Sequence, residues 1–281
     1  MRIVIAGANG QLGQDLVRRL SPIHDVYGFG RGELDVTNLE QAIQVIHDVR
    51  PDFVINAAAY TAVDRAETEV DQAYAVNAFG ARNLAMASER IGAKYCYIST
   101  DYVFDGNGRT PYREYDLTNP QGVYGKSKRA GEELVTSFST RYFIVRTSWL
   151  YGAFGGNFVK TMLKLGREGK RLTVVDDQVG SPTYTVDLAD FIAELIHTEK
   201  FGIYHASNIG SCSWYEFAKA IFEEAGMDAD LHPCTTEEFP RPAPRPAYSV
   251  MDHMSIRING LTEFRPWRDA LKAFLQELNE V

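Results

Sequence analysis

Over the first 150 residues, short apolar runs alternate with stretches in which apolar residues recur every three or four positions. The runs Arg2–Ala6, Asp25–Phe29, Phe53–Asn56, Lys94–Ser99 and Tyr142–Arg146 predict strands. Between them, Leu12, Leu16, Val17 and Leu20 line one helical stripe, and Leu39, Ile43 and Ile46 another. The stretch Asp71–Ile91 predicts one long helix with Val76, Gly80, Leu84 and Ala87 on one face. Strands that are apolar throughout and separated by helices imply a parallel sheet covered on both faces. Right-handed crossovers make such a sheet doubly wound.

After Leu150 the pattern loosens. Gly and Asn cluster over Tyr151–Asn157, followed by a predicted helix over Phe158–Gly166 and a strand over Leu172–Val175. A helix over Val186–His197, a strand over Gly202–His205 and a helix over Trp214–Ala225 come next. Pro240–Pro246 is a proline-rich loop, and a last helix starts near Pro266, a residue suited to a first helical turn. Residues 1–150 are therefore expected to form one domain and 151–281 mainly a smaller, mostly helical lobe, with later segments returning to the first domain. Trp214, Tyr215 and Phe217 are expected to form a helix packing face.

Composition narrows the possibilities. Hydrophobic residues make up 45% and charged residues 23%, which is globular rather than disordered. The net charge of -8 removes any whole-chain electrostatic drive toward nucleic acid or an anionic membrane. Neither partner is expected, and no run approaches the ~20 apolar residues of a membrane span. Cys96, Cys212 and Cys234 are widely spaced and make no C-x-x-C, which argues for a reducing, cytoplasmic setting. The six histidines form no H-E-x-x-H, and no metal site is expected from them.

The first strand runs into Gly7-Ala8-Asn9-Gly10-Gln11-Leu12-Gly13, which opens the first helix. Glycines at such a junction let backbone amides approach a pyrophosphate, and the helix amino end favours its charge. The spacing is G-x-x-G-x-x-G rather than G-x-G-x-x-G. About 20 residues on, where an NAD site places an acid, stands Gly30, with Arg31 beside it. Absence of a carboxylate removes repulsion of a 2′-phosphate, and a guanidinium can pair with it. NADPH is the expected cofactor; Glu33 or Asp35 reaching the ribose would let NADH serve as well.

Tyr124 and Lys128 lie four apart on a predicted helix and so share a face. A nearby ammonium is expected to lower the tyrosine pKa, and such a tyrosine can give a proton to a carbonyl oxygen as hydride arrives at its carbon. Ser99 and Thr100 fall at a strand's carboxyl end, where a hydroxyl can hold the substrate oxygen. Asn77, polar within an apolar helix pattern, reads either as a surface amide or as a structural or proton-relay amide near Lys128. Arg245, on the stiff proline loop, is suited to diphosphate oxygens.

These elements together resemble an extended short-chain dehydrogenase/reductase, and within that family the dTDP-4-dehydrorhamnose reductases. The runs carrying the resemblance are the glycine turn, Asp52–Asp64, Val76–Gly80, Ser99–Phe104, Tyr124–Lys128, Arg146–Gly152, Asp177–Thr183 and Arg245–Ser249. The resemblance implies a Rossmann-type fold with a C-terminal substrate-binding lobe. It implies cofactor contacts from Gly7, Asn9, Gly10, Gln11, Leu12 and Gly13 of the turn, from Arg31 and Asp35, from Ala57, Ala58 and Tyr60, and from Lys128. It implies Thr100, Tyr124 and Lys128 as catalytic residues. Tyr102 and Trp149 would contact the sugar, and Asn157 with Arg245 would hold the nucleotide diphosphate. The implied reaction is NADPH-dependent reduction of a nucleotide 4-keto sugar, dTDP-6-deoxy-L-lyxo-4-hexulose, to dTDP-L-rhamnose, by a monomer or homodimer. In similar dehydratases the catalytic Thr is followed by Asp and Glu; here Asp101 and Tyr102 follow Thr100. The alternatives are a dehydratase or epimerase on the same scaffold, or a non-catalytic subunit similar to the regulatory subunit of methionine adenosyltransferase. Some relatives form metal-linked dimers through acidic residues on two helices. Asp15 would serve, but Val186 stands where the second carboxylate is expected, so no structural magnesium is expected.

Overall fold

The computed structural model describes residues 1–279, so the last two residues of the lobe expected over 151–281 lie outside the described residues. The first half runs β1 (Arg2–Ala6), α1 (Gln11–Leu20), β2 (Asp25–Phe29), α2 (Leu39–Val49), β3 (Phe53–Asn56), α3 (Val63–Ala66), α4 (Val70–Tyr74), α5 (Ala81–Arg90), β4 (Lys94–Thr100), α6 (Val123–Phe138) and β5 (Tyr142–Thr147). The second half runs β6 (Leu150–Tyr151), α7 (Phe158–Arg167), β7 (Leu172–Val175), β8 (Val179–Gly180), β9 (Thr183–Tyr184), α8 (Thr185–Leu195), β10 (Gly202–His205), β11 (Cys212–Ser213), α9 (Trp214–Glu224), β12 (Leu231–Cys234), α10 (Met254–Ile258) and α11 (Trp267–Asn279).

Six strands form one parallel sheet in the order β10-β5-β4-β3-β1-β2. Because side chains alternate along a strand, each strand feeds two cores. Ile3, Ile5, Phe53, Ile55 and Ile98 meet α1 and α8 on one face. Val4, Ala6, Val54, Tyr95 and Tyr97 meet α2, α5 and α6 on the other. Both faces are therefore covered, which is why the strands carry no polar alternation. β10, from beyond residue 200, closes the sheet beside β5 in register Gly202 to Phe143. A separate core of Val159, Leu163, Phe217, Ile221, Leu271 and Phe274 joins α7, α9 and α11 in the C-terminal half.

The helix expected over 71–91 is interrupted. Between α4 and α5, Ala75–Gly80 winds as a π-helical turn that includes Asn77. Asn77 is fully buried there and ties three elements together. Its Oδ1 accepts from the Tyr60 amide at 2.8 Å, and its Nδ2 donates to Tyr60 O and Ser127 Oγ at 3.1 and 3.0 Å. Asn77 is thus a buried structural amide rather than a surface one. Such turns recur at functional sites because they re-aim a side chain without ending the helix.

Candidate active site

The chain leaves β1 toward β2 and leaves β3 toward β4, in opposite directions along the sheet. The crevice at the carboxyl ends of β1 and β3 is where an open parallel sheet places a ligand. The glycine turn sits in it. Gly7 has φ of +80°, and a Cβ on it would lie 2.6 Å from Ala58 N. A Cβ on Gly13 would lie 2.2 Å from Gly7 O. No side chain caps α1 at Gly10, so its first N–H groups are left for a ligand anion.

A cleft of about 610 Å³ opens beside this turn. Gly7, Asn9, Gly10, Arg31, Asp35, Ala57, Ala58 and Tyr60 all line it. Leu12 is buried in the core beneath, and Gly13 packs under the turn. At the end of β2, a Cβ on Gly30 would lie 2.2 Å from Asn9 Nδ2, so a side chain at the position where an NAD site carries its acid would have to displace the Asn9 amide. Asp35 has an oxygen engaged by the Thr37 amide and hydroxyl at 3.0 and 2.8 Å, and Arg31 is exposed at the rim. These backbone amides, a turn with no room for Cβ atoms and an unopposed guanidinium fit a dinucleotide phosphate.

Thr100, Tyr124 and Lys128 converge where β4 ends against the start of α6. Thr100 Oγ1 donates to Asp101 Oδ1 at 2.9 Å, and its hydroxyl is close enough to the Tyr124 phenol to favour the phenolate. Ser99, one residue earlier, points to the opposite face and donates to Glu132 Oε1 at 2.6 Å, so only Thr100 of the two hydroxyls faces Tyr124. Lys128 is fully buried; its Nζ donates to Ile98 O at 2.6 Å and lies 4.1 Å from the Tyr97 ring centre.

The expected electrostatics are overturned. Burial, aided by the Asp101 charge, pushes the Tyr124 phenol up to about 12, with Thr100 only partly opposing it. Lys128 is not among the groups that move it. Burial instead pulls the Lys128 ammonium itself down to about 7, with the Glu132 carboxylate acting the other way. The buried end of α6 penalises both charged forms, which outweighs the one-turn proximity read from the sequence. Behind Lys128, Glu132 is held by Arg146 through two 2.8 Å hydrogen bonds, and Arg146 Nη1 lies 3.3 Å from His205.

A second cavity, of about 690 Å³, begins at Tyr102. The Tyr102 ring meets Tyr124 edge-on at 5.5 Å. Arg245 lines this cavity, with Phe158, Trp214, Gln178 and Phe239. Trp214 and Tyr215 pack against the lobe core as expected, and Trp214 also lines the cavity and stacks on Trp149, ring centres 3.5 Å apart. Phe217 does lie in the core. Asn157 caps α7, and its Nδ2 donates to Gln11 Oε1 and Gly152 O at 3.0 and 2.8 Å. It therefore joins the lobe to the glycine turn. Arg245 is paired with Asp64. Asp15 is buried and accepts from Thr185 Oγ1 at 2.5 Å, and Val186 packs against the lobe core. No group of three or more His, Cys, Asp or Glu is placed to hold a metal among the described residues. Among them, too, no helix is long and apolar enough to cross a membrane.

Comparison with known proteins adds to this geometry. A family profile described as RmlD substrate binding domain matches residues 1–280. A Bacillus subtilis protein named spore coat polysaccharide biosynthesis protein SpsK is 47% identical over 98% of this chain and 97% of its own. A dTDP-4-dehydrorhamnose reductase of Aggregatibacter actinomycetemcomitans is 42% identical over 96% of this chain and 97% of its own. The crystal structure of a dTDP-4-dehydrorhamnose reductase from Bacillus anthracis, in complex with NADP, is 51% identical. It superposes with a TM-score of 0.97 over 98% of this chain and 99% of that one.

Proposed function

Because this chain belongs to the RmlD substrate binding domain family, we propose that it reduces the 4-keto group of dTDP-6-deoxy-L-lyxo-4-hexulose with NADPH, giving dTDP-L-rhamnose. The glycine turn, Arg31 and the Ala57–Tyr60 loop hold the cofactor, which supplies a hydride to C4 of the sugar. Residues 1–150 with β10 form the cofactor half, and 151–281 supply mainly the substrate half. The protein works in the cytoplasm, in keeping with three buried cysteines that are all free.

The chain's own residues handle the proton. With its phenol raised to about 12, Tyr124 is neutral at working pH and carries the proton to be given. An alkoxide is a stronger base than a phenolate, so the transfer to the former carbonyl oxygen runs downhill. Thr100 holds that oxygen beside Tyr124. Lys128, one helical turn from Tyr124 and drawn down to about 7 by burial, holds the nicotinamide ribose. Tyr102 and Trp149 bound the sugar, and Arg245 serves the diphosphate end.

One observation carries reduction over dehydration. Elimination of water needs a base where Tyr102 stands, and burial together with the Asp101 charge pushes the Tyr102 phenol above its ordinary value. Asp101 is itself buried and turned inward, toward Ser249 and Thr100. The test is NADPH oxidation with a small panel of nucleotide 4-keto sugars, on the wild type and Tyr124→Phe. Loss of the phenol should lower kcat by ~10²–10⁴-fold while the cofactor still binds. Near-wild-type turnover by the variant, or no oxidation with any of the sugars, overturns the assignment.

A further inference from the structure

Asp64 has no role in the reaction as derived so far, yet it lies at the joint between the two cavities. It belongs to α3, which directly follows the Ala57–Tyr60 loop of the nucleotide cleft. Across the joint lies the proline strap carrying Arg245. The Arg245 guanidinium donates from Nη1 to Asp64 Oδ1 at 2.9 Å and from Nη2 to Asp64 Oδ2 at 3.1 Å. Nη1 also donates to Ala243 O at 3.0 Å, and the Ala243 amide donates back to Asp64 Oδ1 at 3.2 Å. One carboxylate therefore fixes both the arginine and the strap that bears it.

A guanidinium has two forked edges, an end formed by Nη1 and Nη2 and a side formed by Nε and Nη2. Asp64 takes the end. Nε has no hydrogen-bond partner among the described residues, and Arg245 lines the cavity that begins at Tyr102. Arg241 stands 3.9 Å from the same carboxylate, so two guanidiniums face one acid and a net positive charge remains for an anion.

We propose that Asp64 is a positioning residue, which grips the end of the Arg245 guanidinium and presents its side edge to the diphosphate of the nucleotide sugar. This rests on the reading that Arg245 holds that diphosphate. Asp64 touches neither substrate nor cofactor; it removes the rotamer freedom that Arg245 would otherwise lose on binding.

The test uses the full chain with Asp64→Ala, Asp64→Asn, Arg245→Ala and the Asp64→Ala/Arg245→Ala double variant. KM and kcat are measured with the nucleotide 4-keto sugar, and the Kd of dTDP by calorimetry. Hydrogen bonds to charged groups span roughly tenfold to a hundredfold in affinity. Asp64→Ala should therefore raise KM and the dTDP Kd by about tenfold, with kcat within about threefold of wild type. The double variant should bind no more weakly than Arg245→Ala alone. Asp64→Asn keeps the shape and one acceptor, and should lose about threefold; it carries the same test should the alanine variant fail to fold. Unchanged or tighter dTDP binding on loss of Asp64, while Arg245→Ala weakens it, overturns the positioning role alone. Wild-type dTDP binding by Arg245→Ala overturns the role and the reading of Arg245 beneath it.

Discussion

Replacing Lys128 by Met should stabilise the protein while abolishing its turnover. The lysine is fully buried, and burial brings its ammonium from 10.5 down to about 7. That gap is three to four pH units, each worth about 1.4 kcal/mol, so near neutral pH the folded state carries a burden of about 4–5 kcal/mol. Methionine fills a similar volume without the charge. The variant forfeits the hydrogen bond to Ile98 O and the contact with the Tyr97 ring, together worth about 2 kcal/mol. A net gain of about 2 kcal/mol remains. Its sign changes with pH in a defined way. Between about 7 and 10.5 the unfolded chain binds a proton at Lys128 that the folded chain does not. Wild-type stability therefore rises with pH across that window, while the variant lacks this contribution. The variant's advantage should be largest at and below neutral pH, vanish near pH ~8.5 and be reversed by pH ~10. Urea denaturation of both proteins at several pH values reads this directly, with NADPH oxidation as the activity readout. A variant less stable than wild type at neutral pH, or a gap that does not shrink as pH rises, refutes the account of Lys128 as a charge held against burial.

Gly131→Ala puts a Cβ 2.3 Å from Asn77 O and 2.5 Å from Tyr97 Oη. It should cost ~1–3 kcal/mol in urea denaturation and lower kcat by moving α6 off the π turn; a silent alanine would contradict that packing. Arg146→Met takes both guanidinium donors from the buried Glu132, which is left with the Ser99 hydrogen bond and Arg129 at 3.9 Å. It should destabilise by ~3–5 kcal/mol, whereas replacing both residues by apolar ones should restore most of the loss. Arg31→Ala should lower kcat/KM for NADPH by roughly tenfold or more and leave NADH nearly unchanged; an unaltered cofactor ratio would remove Arg31 from the 2′-phosphate.

The sheet was legible because its N-terminal strands are largely apolar and the first four are each followed by helical segments. β4 and β5 each run one residue past the predicted ends, to Thr100 and Thr147. The return of β10 was legible as a strand, while its place beside β5 comes from the structure. The π turn at Ala75–Gly80 was not legible. One extra residue per turn leaves the spacing of Val76, Gly80 and Leu84 almost unchanged, and only the odd polarity of Asn77 marked the place. The two-residue strands β6, β8, β9 and β11 are too short to carry a period. At the site, residue types and spacing pointed to Thr100, Tyr124 and Lys128, and the structure brings them together. The direction of the Tyr124 shift was hidden because it depends on burial beneath elements distant in sequence. The pairing of Asp64 with Arg245 spans 181 positions and leaves no local pattern at either residue.

The central claim is hydride delivery to C4 with net consumption of cofactor. The most direct measurement supplies the purified chain with the nucleotide 4-keto-6-deoxy sugar and NADPH deuterated at its transferable position. The account predicts a product carrying one deuterium at C4, one NADPH oxidised for each product formed, and no label transfer by Tyr124→Phe at a comparable rate. Conversion of the sugar with no net oxidation of NADPH, or a product without deuterium at C4, would contradict it.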